Sequence, residues 1–188
     1  MGRCSSFSWI WFKRERRYET TRKKKSVPSK KKPPLIKNSS TIENLHSRQV
    51  KTLVGRLRNT ALSGHTIVRE CKKIPGIGFK GVYMQNQQNI PTTGCLIMNN
   101  DLTGNPGIHW LAIVFKGKTI YVYDSFGRRS RNILPIYTQQ MKAKGFRIVN
   151  TDLSDADQYG NTSVTCGHRC ISSLKIYKKY GIKGFKQL

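Results

Sequence analysis

The spacing of apolar residues divides the chain into recognisable elements. Val50, Leu53, Val54 and Leu57 recur at helical intervals. Ser40-x-x-Glu43 precedes them and has the form of a capping box, in which hydroxyl and carboxylate satisfy orphan N–H groups reciprocally. A helix of about three or four turns is expected from near Ser40. His46 and His65 have no partner pattern around them and read as surface residues. From Ile74 to Asn100 the composition turns to Gly, Pro, Asn and Gln with short apolar runs. Phe79 to Met84 reads there as a strand, and Cys95 to Met98 as a short strand or helical turn, with Cys95 a buried small hydrophobe.

The clearest pattern follows. His109-Trp110-Leu111-Ala112-Ile113-Val114-Phe115 is an apolar run that ends in Lys116-Gly117-Lys118, and Thr119-Ile120-Tyr121-Val122-Tyr123 answers it as a return strand. In such a hairpin His109, at the start of one strand, lies beside Asp124, at the end of the other. Asn132 can cap a helix from about Ile133 to Lys144 with Pro135 tolerated in its first turn, and Gly145 ends it. Phe146 to Asn150 is a further strand, and a polar loop with Asp152, Asp155 and Asp157 comes next. The last helix runs from Cys166 to about Tyr180, with Cys166, Cys170, Leu174 and Tyr177 on one face and Gly181 as its stop.

Composition adds a tail and a class of partner. A chain of 188 residues is one ordinary domain, or a domain with an arm. Thirteen basic and two acidic residues lie between Met1 and Lys37, with runs such as Lys30-Lys31-Lys32-Pro33-Pro34 that cannot pack, so residues 1–38 read as a disordered basic arm and 39–188 as the folded domain. Thirty-five Lys and Arg against nine Asp and Glu leave a formal charge of +26, which favours polyanions, nucleic acid above all. The arm resembles a nuclear-localisation or DNA-binding segment as much as a solubilising tail. Met1-Gly2-Arg3-Cys4-Ser5-Ser6 fits a loose lipidation pattern short enough to arise by chance. Phe7 to Phe12 is too short, and too quickly interrupted by Lys13 and Arg14, for a membrane span or a signal sequence. Five widely spaced cysteines without zinc-type spacing point to reduced thiols in a cytosolic or nuclear setting.

Among those cysteines Cys166 stands where chemistry is easiest. It opens a helix, where unpaired N–H groups and the dipole lower a thiol pKa, and Gly167 beside it allows close backbone approach. Cys170, one turn deeper, is placed to pack. His109 can act as the general base and Asp124 can orient its imidazole, although Asp-Ser-Phe-Gly also suits a plain turn. His168 is a rival base, but two positions after Cys166 on a helix it points to another face. Gln158 can donate to an oxyanion together with the Cys166 N–H. Singly these residues are ordinary; in the order His…Asp…Gln…Cys each sits at the strand end or helix start that its role needs.

The segments Gly107-Ile108-His109-Trp110-Leu111-Ala112, Tyr121-Val122-Tyr123-Asp124-Ser125-Phe126-Gly127 and Gln158 through Cys166-Gly167 resemble the adenovirus-type cysteine protease (adenain) family, which is distantly similar to SUMO-specific proteases. The resemblance runs from about Pro75 to about Leu174. It implies an α+β, papain-like fold, permuted so that the cysteine comes last, with a mixed sheet and the catalytic cysteine at a helix N-terminus. It implies a triad of His109, Asp124 and Cys166, an oxyanion hole from Gln158 and the Cys166 N–H, Trp110 packed beside the site, and no metal. Adenovirus enzymes carry Glu where Asp124 stands, while Asp is the usual acid of the SUMO-protease relatives. The family's peptide-binding cysteine falls near Arg147, so a disulfide-linked peptide cofactor is not expected. The expected function is a viral or transposon-borne endopeptidase that processes capsid or core precursors in the virion and host nucleus. No cofactor is required, double-stranded DNA bound through the arm and surface is a candidate activator, and no stable membrane association is expected. The alternatives are a protease that removes a ubiquitin-like modifier, and a non-enzymatic basic DNA-packaging protein on the same scaffold.

Overall fold

The computed structural model describes residues 39–151 and 164–188. The basic arm, the acidic loop and Gln158 therefore lie outside the described residues. In chain order the elements are α1 (Ser39–Leu57), α2 (Gly64–Lys72), β1 (Phe79–Met84), β2 (Cys95–Asn99), β3 (Trp110–Lys116), β4 (Thr119–Tyr123), α3 (Ser130–Ile133), α4 (Pro135–Ala143), β5 (Arg147–Asn150) and α5 (Cys166–Lys186). The fold is α+β, built on a mixed five-stranded sheet in the order β1-β2-β3-β4-β5. β2, β3 and β4 run antiparallel to one another, and each outer strand is parallel to its neighbour.

The apolar run Leu111 to Phe115 becomes the central strand because both of its faces are covered. Alternate residues supply two cores. Cys95, Ile97, Ala112, Val114 and Tyr123 face α1, α2 and α5 with Ile42, Leu53, Ile67, Ile171 and Leu174. Leu96, Met98, Leu111, Ile113, Ile120 and Val122 face the other way, onto Leu134, Tyr137 and Met141. Sheet and helices thus form three layers, with α5 packed across β3 and against α1. Among the described residues no helix is long and apolar enough to cross a membrane.

The expected strands stand where the pattern puts them, with Cys95 to Met98 as the start of β2 and Cys95 fully buried. Four features differ. Helix α1 already includes Ser40, so this residue is helical and not its N-cap. His46 is not a surface residue: it lies on the same face of α1 as Ile42, Val50 and Leu53, is 1% exposed, and shares a hydrogen bond of 3.1 Å with the Tyr123 hydroxyl. His65 is exposed. Asn132 does not cap the long helix, because it belongs to α3; the break falls at Leu134, and Pro135 opens α4. Gly181, with φ 66 and ψ −159, interrupts α5 where a stop was expected, but a further helical stretch follows it.

Helix α2 was not anticipated. Ser63 caps it by accepting from the Thr66 N–H at 3.3 Å, and it buries Ile67, Cys71 and, unusually, Glu70. The Glu70 carboxylate binds Arg56 of α1 and Lys73, the latter at 2.7 Å, and these hydrogen bonds hold it at a pKa of about 2 against the opposing effect of burial. A carboxyl depressed in the folded state stabilises above its unfolded pKa near 4.3 and loses that contribution as pH falls toward its folded value. Glu70→Gln is therefore expected to destabilise by about 1 kcal/mol at neutral pH, a figure kept small because the cationic partners are half exposed. In urea titrations the gap between the two proteins should close as pH falls from about 4 to about 2; a gap that persists at pH 2 would show that the ion pair is not its source.

Candidate active site

The β3–β4 hairpin brings base and acid together. Its register pairs Ala112 with Tyr123, so His109, just before β3, and Asp124, just after β4, meet beyond the paired ends. His109 Nε2 lies 2.5 Å from Asp124 Oδ1, and both side chains are buried. Asp124 is ionised, with a pKa of about 2: burial raises it, but hydrogen bonds and charge from His109 and Arg128 outweigh burial. A carboxylate can only accept, so Nε2 carries the proton on that side and Nδ1 is the nitrogen left for another partner.

That partner is Cys166. It is the first residue of α5, which packs on β3, and its thiol and the imidazole shift each other's pKa. Burial pushes the thiol pKa up. The His109 hydrogen bond and charge, together with N–H groups of Trp110 and Gly167, pull it further down, and the net shift is downward. For His109 burial alone would lower the pKa, whereas its bonds to Asp124 and Cys166 raise it, so the imidazolium persists above its ordinary range. A depressed thiol beside a raised imidazole is the electrostatic signature of a thiolate–imidazolium pair.

The other described thiols behave differently. Burial raises Cys71 and Cys170, and pushes Cys95 up to about 12. His168 is turned from the site as expected, with Nε2 3.0 Å from the Arg58 carbonyl, and its burial lowers its pKa. Among the described residues no cluster of His, Cys, Asp and Glu is placed to hold a metal. Gln158 lies outside the described residues; the Cys166 N–H belongs to the first turn of α5, whose N–H groups have no intrahelical acceptor.

Cys166 opens onto a cleft of about 540 Å³. One wall is the segment between α1 and α2 with Leu62, Ser63 and Gly64; another is β1 with Val82, Tyr83 and Met84; a third is Pro106, Gly107 and Ile108. Trp110 also lines it, its indole N–H donating to the Leu62 carbonyl at 3.0 Å. The same Leu62 closes on α5: a Cβ at Gly167 would stand 3.1 Å from Leu62 Cβ and 3.3 Å from Ile67 Cδ1, so glycine lets α5 approach the cleft wall. Ile108 is 76% exposed at the cleft rim.

Two side chains to which the sequence reading assigns no role lie beside the pair. Phe126 lies against the His109 ring, with centroids 5.0 Å apart, and Arg128 grips both oxygens of Asp124. Asp-Ser-Phe-Gly-Arg does form a turn, as the simpler reading had it, and the turn is what delivers these contacts. No protein-family model matches the chain, and no curated protein matches it. Its chemistry must be read from geometry.

The lowered pKa of Cys166 leads to an expectation of reactivity at a pH where ordinary thiols are protonated. Iodoacetamide at about pH 6, well below a free thiol's pKa near 8.5, is expected to label Cys166 and spare Cys71, Cys95 and Cys170, as peptide mass spectrometry would show. His109→Ala should move that reactivity up toward the free-thiol range. Equal labelling of Cys166 and Cys170 would contradict the assignment.

Proposed function

We propose that this protein is a cysteine endopeptidase with a papain-like fold in the permuted order His…Asp…Gln…Cys. The observation that supports it most strongly is the buried Asp124–His109 pair, with an imidazole that lowers the pKa of the Cys166 thiol where Cys166 lines a cleft. The Cys166 thiolate attacks the scissile carbonyl carbon, and the carbonyl π electrons move to oxygen. The Cys166 N–H, with Gln158 by the resemblance, stabilises that oxyanion. Collapse of the intermediate breaks the C–N bond; the His109 imidazolium protonates the leaving amine, and a thioester remains. A water that gives its proton to His109 then hydrolyses the thioester and frees Cys166. Asp124 keeps the imidazole in the tautomer and orientation that both steps need.

A cleft of about 540 Å³ lined by three separate chain segments has room for an extended polypeptide. The sequence resemblance suggests capsid or core precursors of a DNA virus or virus-like transposon as substrates, and the virion and host nucleus as the place of action. The charge of +26 supports double-stranded DNA as a partner through the arm and the basic surface.

Cys166→Ala should abolish cleavage of a precursor substrate, and His109→Ala should lower kcat by about a thousandfold or more. Residual processing by the alanine variant would remove the triad from the mechanism. Cleavage of a fused ubiquitin-like modifier, with capsid precursors untouched, would point to the deconjugating relatives. Tight DNA binding without cleavage by the wild type would favour a packaging role.

Phosphate contacts release counterions, so stimulation by DNA should be steeply salt-dependent and independent of sequence. Added duplex should raise the cleavage rate at low ionic strength, and the gain should fade as salt increases. Equal rates with and without DNA at every ionic strength would exclude it as an activator.

A further inference from the structure

Arg128 sits in an exposed turn, and its side chain is 42% exposed. Its carboxylate partner is 2% exposed, so only one side of the ion pair meets solvent. The arginine reaches the imidazole by two routes. Through the first, the Arg128 backbone N–H and Nε both donate to Asp124 Oδ2 at 2.9 Å, and Nη2 approaches Oδ1 at 3.4 Å. Oδ1 is the oxygen that meets His109, so the carboxylate is held at both ends and cannot rotate away from the ring. Through the second, the guanidinium carbon stands 4.8 Å above the Phe126 ring, and that ring leans on the imidazole at 54°. The turn makes both routes possible. Gly127 adopts φ 64 and donates to the Asp124 carbonyl at 2.9 Å, which reverses the chain so that the next residue presents backbone and side chain alike to Asp124.

We infer that Arg128 is a positioning residue for His109, acting through Asp124 and Phe126. The inference rests on the protease reading of His109 and Cys166. Its chemical sense lies in the two duties of the base. The imidazole must be held in one orientation to take and return a proton, yet an imidazolium bound by an undivided carboxylate gives its proton up reluctantly. A guanidinium stays charged at every relevant pH. By sharing Asp124 with His109, Arg128 fixes the carboxylate and at the same time weakens its hold on the proton. A plain turn-closing salt bridge would have neither effect.

The test uses the full chain as wild type, Arg128→Gln and Arg128→Lys. The rate at which iodoacetamide modifies Cys166 is followed against pH by peptide mass spectrometry, alongside thermal melting. A thiolate–imidazolium pair gives two limbs, the first as the pair forms and the second as the imidazolium loses its proton. Arg128→Gln removes a cation from the carboxylate, so the second limb should move up by roughly one pH unit, with Tm lowered by no more than about 4 °C. Arg128→Lys keeps the charge and should leave that limb close to the wild-type position. An unmoved second limb in Arg128→Gln overturns the inference whatever its melting temperature. So does a variant that melts below the assay temperature, because the arginine is then a structural part of the turn. A wild-type Cys166 that titrates in one step, like a free thiol, is a different failure: it removes the protease reading itself.

Discussion

An ionised carboxylate taken out of water loses hydration worth several kcal/mol, and the protein must replace it with donors and counter-charges. Asp124 imposes that requirement here. Its oxygens are met by the imidazole on one side, by the guanidinium on the other, and by N–H groups of the turn that follows β4. None of these partners can be moved independently. The imidazole is tied to the start of the central strand, the guanidinium to a left-handed glycine turn, and the strand register to alternation between two cores. The thiol is drawn in last, stabilised as thiolate by a ring that Asp124 has already oriented and charged. Much of the sheet's geometry is thus committed to the neighbourhood of one negative charge.

What was readable in the sequence follows from the range of each signal. Strands β3 and β4 are written as continuous apolar runs around a tight turn, so the hairpin, and with it the meeting of His109 and Asp124, could be inferred from local pattern. Cys166 at a helix start is equally local, and Cys170 one turn on falls in the core as its spacing implies. His46 was misread because periodicity was followed forward from Val50; one turn back it runs through His46 to Ile42, and a buried histidine needed a distant tyrosine to be credible. Helix α2 buries too few apolar residues to show a period, and its third buried position is Glu70, which makes sense only with Arg56 beside it. Arg128 was invisible for a related reason. In a chain so rich in basic residues, one more arginine after a turn carries no signal until its hydrogen bonds are known.

Glycine at 167 illustrates how the layers converge on the cleft. The helix that begins at Cys166 passes close to Leu62, whose carbonyl accepts from the Trp110 indole. A single residue of the segment between α1 and α2 thus meets both that helix and that ring. The region between two helices, which by composition is only a linker, forms a working wall.

The order of the parts along the chain has a consequence for when the protein becomes reactive. The hairpin with His109 and Asp124 is a local element, whereas Cys166 reaches it only through contacts between segments far apart in sequence. Helix α5 docks through distant partners, Ser172 beside the carbonyl of His46 and His168 on that of Arg58. Contacts so far apart in sequence form slowly. Until they form, Cys166 is an ordinary thiol, because its imidazole and the Trp110 N–H both belong to the other side of the interface. The thiol meets its imidazole only when α5 is docked on the sheet.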